Sequence, residues 1–408
     1  MRRQVAFALG LYRTRAELAY HGRVRRDPMS RLHLREGRDN PYAVYEELRR
    51  DGPLVATRLG NWVTTSHAVC DAVLRDRRFG VRQPGAGPRD GFDLSFLDMD
   101  PPDHTRLRRL AQPAFSPKRM EAYRPRVVKT VDALLDRASG TFDLVTALAA
   151  PLPIAVITDL MGIPDADAAR FSRIGATFGS ALDGVRSPRH ASRLVAAGRQ
   201  LKALFENLFE LRRASPSDDV ISHIVAAEGD TIRPAELIPL CDLLLVAGFE
   251  TTVNLVGNAV NALLDHPAQW TALCADPAAL AGPAIEETLR WDPPVQHTIR
   301  WAHTPVTLKG RAVRPGQAVI TLLGAANRDP AVFPEPSKFD IYRPNSADHL
   351  AFSSGIHYCV GRPLALLEAT VALERLATRM PGLRRAGALR RRTSSIIRGP
   401  IRLPVRAV

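Results

Sequence analysis

From about residue 67 to 290, apolar positions recur at three- and four-residue spacing, with breaks at "GIPDAD", "ASPSDD" and "DHPAQW". That period lays one apolar stripe along each of several helices, and the Pro, Gly and Asp clusters end them. Upstream, "NPYAVYEELRRDG" (40–52) reads as a helix, with Asn40 as cap, Pro41 in the first turn and Gly52 as stop. "PLVATRLGNWVTTS" (53–66) reads as a hairpin that turns at Gly60-Asn61. Hairpin signals return in "TPVTLKGRAVRPGQAVITLL" (304–323), followed by the Pro-rich, irregular "NRDPAVFPEPSKFDIYRPN". A Gly-rich loop around Cys359 then leads to a last helix from about 363 to 379. The pattern predicts a mainly α chain with small β-sheets towards both ends, an α+β fold class. No repeat and no low-complexity linker divides it, so residues 39–408 are expected to form a single domain behind a segment of residues 1–38.

Charge distinguishes that segment. The chain carries 56 Lys and Arg against 42 Asp and Glu, a net +14. Residues 1–38 hold ten Arg and three acids, and residues 381–408 hold eight Arg and no acid. The body between them is therefore near neutral. Basic and aromatic residues do not interleave as in RNA-binding segments, so no nucleic-acid partner is expected, and the two ends read as solvated, Arg-rich runs. A basic N-terminal segment touching an anionic membrane surface is the lesser alternative. No run of eighteen apolar residues is present, and "VAFALGLY" is short and lacks a cleavage site, so neither a transmembrane helix nor a signal peptide is expected.

The four cysteines (Cys70, Cys241, Cys274, Cys359) are widely and irregularly spaced. They form neither a disulfide framework nor a CxxC zinc pattern, which suits a reducing cytoplasm. Cys359 stands apart in "FSSGIHYCVGRPLA" (352–365). Gly355 and Gly361 flank it and allow positive φ or close backbone approach to a flat group. Pro363 can open the following helix, whose N-terminus would favour a thiolate, and Phe352 and Ile356 would keep water from the sulfur. A buried structural thiol, a nucleophile and a metal ligand all remain open on these residues alone.

The whole string F-x-x-G-x-H-x-C-x-G resembles the haem-binding signature of the cytochrome P-450 family. The resemblance implies the P-450 fold, haem b, and Cys359 as proximal thiolate of the iron. It assigns Phe352, Gly355, His357 and Gly361 to the cofactor site, with His357 at a propionate. Four further motifs follow the family's order. "LLLVAGFETTVNLVGNAV" (243–260) is an apolar helix interrupted by Gly248, Glu250 and Thr251. A carboxylate inside a buried helix is costly and usually has a task. It resembles the oxygen-activating helix, in which Gly248 would leave room for O2, Thr251 would donate a hydrogen bond there and Glu250 would relay protons. "EETLR" (286–290) sets Glu287 and Arg290 three apart, one turn of helix. It resembles the E-x-x-R pair, which has a structural role and is locked by an Arg of the following meander, here Arg343. His104 and Arg108, at i and i+4, resemble the propionate-binding helix, and Arg300 resembles another propionate ligand.

The resemblance runs from about residue 40 to the end, with spacings of bacterial members. The Arg/Ala/Pro-rich composition and the 240–260 and 324–362 stretches are similar to actinobacterial, mycobacterial-type members. The resemblance implies a cytoplasmic, monomeric enzyme: a haem-thiolate monooxygenase that hydroxylates or epoxidises an apolar small molecule with O2. With no flavin motif and no iron–sulfur cysteine set, electrons would come from a ferredoxin and its reductase, docking at a basic face around Arg109, Lys118, Arg119 and Arg362. Substrate contacts by analogy fall on Phe92, Phe96, Leu244, Ala247, Val295 and Ile396. Alternatives from other classes are a haem-thiolate ligand-binding protein without turnover and a non-haem helical binding protein. Peroxide-driven oxygenation is a nearer variant that the Glu250-Thr251 pair argues against.

Overall fold

A computed structural model describes residues 2–407 apart from 87–93, 165–169, 172, 176, 178–179, 181–184 and 186. The chain begins with helices α1 (Arg2–Arg23), α2 (Pro28–Leu32), α3 (Arg35–Asp39) and α4 (Pro41–Arg50). Strands β1 (Val55–Ala56) and β2 (Trp62–Thr64) then form the expected hairpin, with Gly60 at φ +79° in its turn. Helices α5 (His67–Arg75), α6 (Asp103–Ala111), α7 (Pro117–Leu135), α8 (Pro151–Leu160), α9 (Pro188–Ala214) and α10 (Val220–Ala226) follow. The central helix α11 (Pro234–Asp265) runs 32 residues and leads to α12 (Pro267–Ala275) and α13 (Pro277–Trp291). The helix after the cysteine loop, α14, spans Arg362–Arg379.

The apolar stripes of α7, α8, α11, α13 and α14 meet in one large core. By length and composition α11 could cross a membrane, but its apolar side chains are buried in that core. Strand β3 (Phe79–Gly80), β5 (Thr298–Ala302) and β8 (Ala318–Thr321) join β1 and β2 in a five-stranded sheet ordered β1-β2-β8-β5-β3. The sheet is antiparallel except where β8 lies parallel to β2. Strands β6 (Val306–Leu308) and β7 (Arg311–Val313) form the hairpin expected within 304–323, turning at Lys309-Gly310, both at positive φ. The remainder of that stretch does not make a second hairpin. Its strand β8 pairs with β5 and β2 instead, because every residue of β8 is buried and needs sheet partners on both edges. Strand β4 (Thr141–Asp143) pairs with β12 (Pro404–Arg406), which also pairs with β9 (Arg384–Arg385). Strands β10 (Arg390–Arg391) and β11 (Pro400–Arg402) form the C-terminal hairpin.

Three local expectations change. Asn40 makes no side-chain cap bond to α4, which starts on Pro41 all the same. The segment 1–38 is not wholly solvated. Met29 and Leu32 pack with Val44, Tyr45 and Leu48, and the buried Asp27 carboxylate accepts from Ser30 and from the Arg58 N–H. The C-terminal arginines are not all solvated either: Arg391 and Arg398 reach the buried Asp292. At the C-terminal end, part of the basic charge therefore serves as an internal partner.

Candidate functional site

The cysteine loop is closed by its own backbone: the Cys359 N–H donates to the Phe352 carbonyl at 2.9 Å. Gly355 takes φ +67°, and a Cβ there would collide with the Leu74 carbonyl and lie 3.0 Å from Arg75 Cα. Glycine thus supplies the positive φ expected from the sequence and lets the loop lie against the C-terminal turn of α5. Gly361 has an ordinary negative φ and serves as the N-cap residue of α14. The main-chain N–H groups of Gly361 and Arg362 point at the Cys359 sulfur. Even so, burial raises the thiol above its usual range and outweighs those N–H groups and the Arg108 and Arg362 charges. The N–H groups at the start of α14 favour the thiolate, in the direction expected from sequence, while burial opposes it.

Four basic side chains gather at the loop. His104, buried on α6, lies with its ring centroid 4.2 Å from that of His357. Arg108, one turn further along α6, donates to the Tyr358 carbonyl. Arg300, on β5, donates to Thr298 Oγ1 and to its neighbour's carbonyl at 3.0 Å, and reaches Ser353 Oγ at 3.5 Å. Its exposure is only 4%, and burial lowers its pKa to about 10. Burial, with the nearby charges of His357 and Arg108, lowers His104 to about 4. Among the described residues, neither ring nitrogen of His104 nor Nε2 of His357 has a hydrogen-bond partner. Asp100 brings a carboxylate to the group, and its oxygens already accept the N–H groups of Val81 and Arg82. It stays 3.9 Å from His357 Nε2, an ion-pair separation rather than a hydrogen bond. Asp100 escaped the sequence reading because "DMDPPDH" looks like a loop of solvated acids.

On α11, Thr251 Oγ1 donates back to the Ala247 carbonyl at 2.9 Å. Ala247 is exposed and Gly248 and Thr251 are half-exposed on a helix otherwise largely buried. A Cβ on Gly248 would meet only Ile157 Cδ1, at 3.9 Å. Glu250 faces elsewhere: it is buried and ion-paired with Arg392 of the C-terminal hairpin. That hairpin is docked along one side of α11. Asn258 donates to the Arg398 carbonyl at 3.1 Å, Pro400 lies against Gly257, and a Cβ on Gly399 would collide with Asn254. Sequence reasoning missed Arg392. The asparagines at 254, 258 and 261, spaced four and three apart in an apolar helix, were the available signal for a docked partner.

Glu287, Arg290 and Arg343 come together in the core. Arg290 grips both Glu287 oxygens at 2.7 Å and Arg343 stands 3.3 Å away, with Glu287 and Arg290 fully buried. Of the residues read as substrate contacts, Val295 and Ile396 are neighbours, joined through a bridge between Val295 and Ile397. Leu244 is buried on α11, and Phe96 packs edge-on against His104. Phe92 lies outside the described residues. Of the basic face, Arg109 and Lys118 are exposed, while Arg119 pairs with Asp218 and Arg362 with Glu286.

His297 is buried beside this region, and burial together with the His33 charge lowers it to about 4. A histidine that ionises near 6.5 once unfolded but near 4 when folded takes up its proton on unfolding between those values. Stability therefore falls as pH drops from about 6.5 to about 4, by up to about 3 kcal/mol for this group. Urea titrations of the wild type and His297→Phe across that window will show the shallower pH slope in the variant. Equal slopes would mean that His297 is solvated when folded.

A cytochrome P450 family model matches residues 280–379. Over 395 residues the chain is 40% identical to cytochrome P450 107B1 of Saccharopolyspora erythraea, covering 95% of this chain and 94% of that one. It is 38% identical to the cytochrome P450 monooxygenase PikC of Streptomyces venezuelae, over 90% of this chain and 91% of the relative. Its fold superposes on ligand-free CYP164A2 of Mycobacterium smegmatis with a TM-score of 0.84 at 39% identity, covering 93% of this chain and 99% of that one.

Proposed function

The chain belongs to the cytochrome P450 family and is a monooxygenase of it, and on that premise we propose that Cys359 is the thiolate ligand of its haem iron and that its substrate is an apolar small molecule. The observation that carries the cofactor assignment is the basic group at the cysteine loop. His104, Arg108, Arg300 and His357 present donors whose hydrogen-bond partners are neutral carbonyls and hydroxyls, or none among the described residues, with Asp100 at ion-pair distance from His357. Buried donors without acceptors are costly, and Asp100 alone does not balance two arginines, so this cluster fits an anionic group such as the two haem propionates. The donor set at the sulfur, two main-chain N–H groups, suits a metal-bound thiolate whose electron density they temper.

When bound, a haem-thiolate supplies activation of O2 and transfer of one oxygen atom to a C–H or C=C bond, the other leaving as water. The protein's own part is to hold, orient and deliver protons. Thr251 offers a hydroxyl on the open stretch of α11, held by the Ala247 carbonyl. Glu250, one residue earlier, is buried and ion-paired with Arg392 on another side of α11, so the proton-relay role that the resemblance implies for it would need that pair to open. Leu244 and Ala247 on α11, with Val295 and Ile396, would give the substrate apolar surface, and Phe96 and Phe92 would add to it. Electrons would come from a ferredoxin and reductase, with the exposed Arg109 and Lys118 offering charge to an acidic partner. The four free thiols suit a cytoplasmic setting.

The deciding experiment is the spectrum of the purified protein, reduced and under carbon monoxide. A strongly red-shifted Soret band supports the thiolate assignment, and absence of any Soret band sinks it. Thr251→Ala will retain haem but lower product formed per electron pair several-fold, the balance appearing as hydrogen peroxide. Unchanged coupling would remove Thr251 from proton delivery.

A further inference from the structure

Helix α13 carries two adjacent carboxylates with different partners. Glu287 serves the buried arginine cluster. Glu286 turns to the cysteine loop and holds it from both sides. Its Oε2 lies 3.0 Å from His349 Nε2, ten residues before Cys359, and its Oε1 accepts from Arg362 at 2.9 Å, three residues after. His349 Nδ1 accepts the Ala351 N–H at 3.2 Å, so the proton sits on Nε2 and points at Glu286. Between these anchors, the Arg362 guanidinium lies 5.7 Å from the centre of the Phe352 ring, and the Phe352 carbonyl takes the Cys359 N–H. Half-buried, Glu286 is well placed to act at short range on charge near the sulfur.

We propose that Glu286 is a positioning residue for the proximal thiolate: its carboxylate clamps the chain on both sides of Cys359 and offsets the positive charge that Arg362 places beside the sulfur. The inference rests on the haem-thiolate reading above. Arg362 stabilises a thiolate and, unopposed, withdraws its electron density; Glu286 restores it. The two charges therefore act on the iron's reduction potential with opposite signs, which a purely mechanical clamp would not do.

The test is a redox titration of substrate-free holoenzyme together with the share of its carbon monoxide complex in the thiolate form. Glu286→Gln should move the potential to a more positive value. Arg362→Gln should move the potential the other way, and the double variant should return close to wild type. His349→Phe, which removes one anchor without changing charge, should raise the thiol-form share while leaving the potential of the remaining thiolate form unchanged. Shifts of equal sign in the two single-charge variants, or no shift in either, overturn the inference while the wild-type band still stands. A wild-type protein without a thiolate band overturns the haem-thiolate reading, and the inference with it. Should Glu286→Gln fail to fold, a negative shift in Arg362→Gln with an unchanged potential in His349→Phe supports the inference, and any other pattern overturns it.

Discussion

Cys359→Ala will abolish the thiolate form of the carbon monoxide complex and, with it, monooxygenase turnover. The loop itself should survive the change. Its closing bond is main-chain, from residue 359 to the Phe352 carbonyl, and the tight approach to α5 belongs to Gly355. The basic group of His104, Arg108, Arg300 and His357 is also untouched, so haem should still be captured in part. The expected variant is thus folded and coloured but spectrally altered. That combination separates loss of the ligand from loss of the site. A variant whose red-shifted band matches the wild type would show that another group ligates the iron.

Glu287→Ala will be the most destabilising single substitution among those considered. The carboxylate accepts from Arg290 through two nitrogens, from Arg343, and from the Asp340 N–H at 2.8 Å. Removing it leaves two guanidinium groups, one of them fully buried, with carbonyls for partners but no anion. Breaking a buried ion pair from one side costs about 3–5 kcal/mol, a large share of the roughly 5–15 kcal/mol that stabilises a typical domain. Glu287→Gln retains part of the hydrogen bonding and should cost less. Denaturant titrations followed by circular dichroism will rank the variants, and a Glu287→Ala protein within about 1 kcal/mol of wild type would contradict the ranking. Because α13 also carries Glu286, whose partners flank Cys359, haem retention should fall along with stability.

Much of the site was readable because its parts are local. The cysteine loop, the Gly248-Glu250-Thr251 break and the Glu287-Arg290 spacing each lie within one turn or one loop, where residue type and period constrain geometry directly. What escaped was contact between distant segments. Arg392 meets Glu250 across 142 positions, and nothing in "LRRRTSS" marks which arginine turns inward. Nothing in "EETLR" marks Glu286, because its partners His349 and Arg362 lie 63 and 76 positions further along the chain. Asp100 looked like one loop acid among several, although its carboxylate is held by two main-chain N–H groups.

The sequence by itself determined the mainly helical character, the helix and hairpin positions, the cysteine loop and the family the chain resembles, since these depend on short-range periodicity and on motifs a few residues long. Only the tertiary structure decided which basic residues are solvent-facing and which are internal, that β8 joins β2 and β5 rather than a hairpin, and that burial outweighs the helix N-terminus at Cys359. The physical reason is common to all three. Charge pairing, strand order and desolvation depend on what lies across space from a residue, and a chain's one-dimensional pattern records its neighbours along the chain alone.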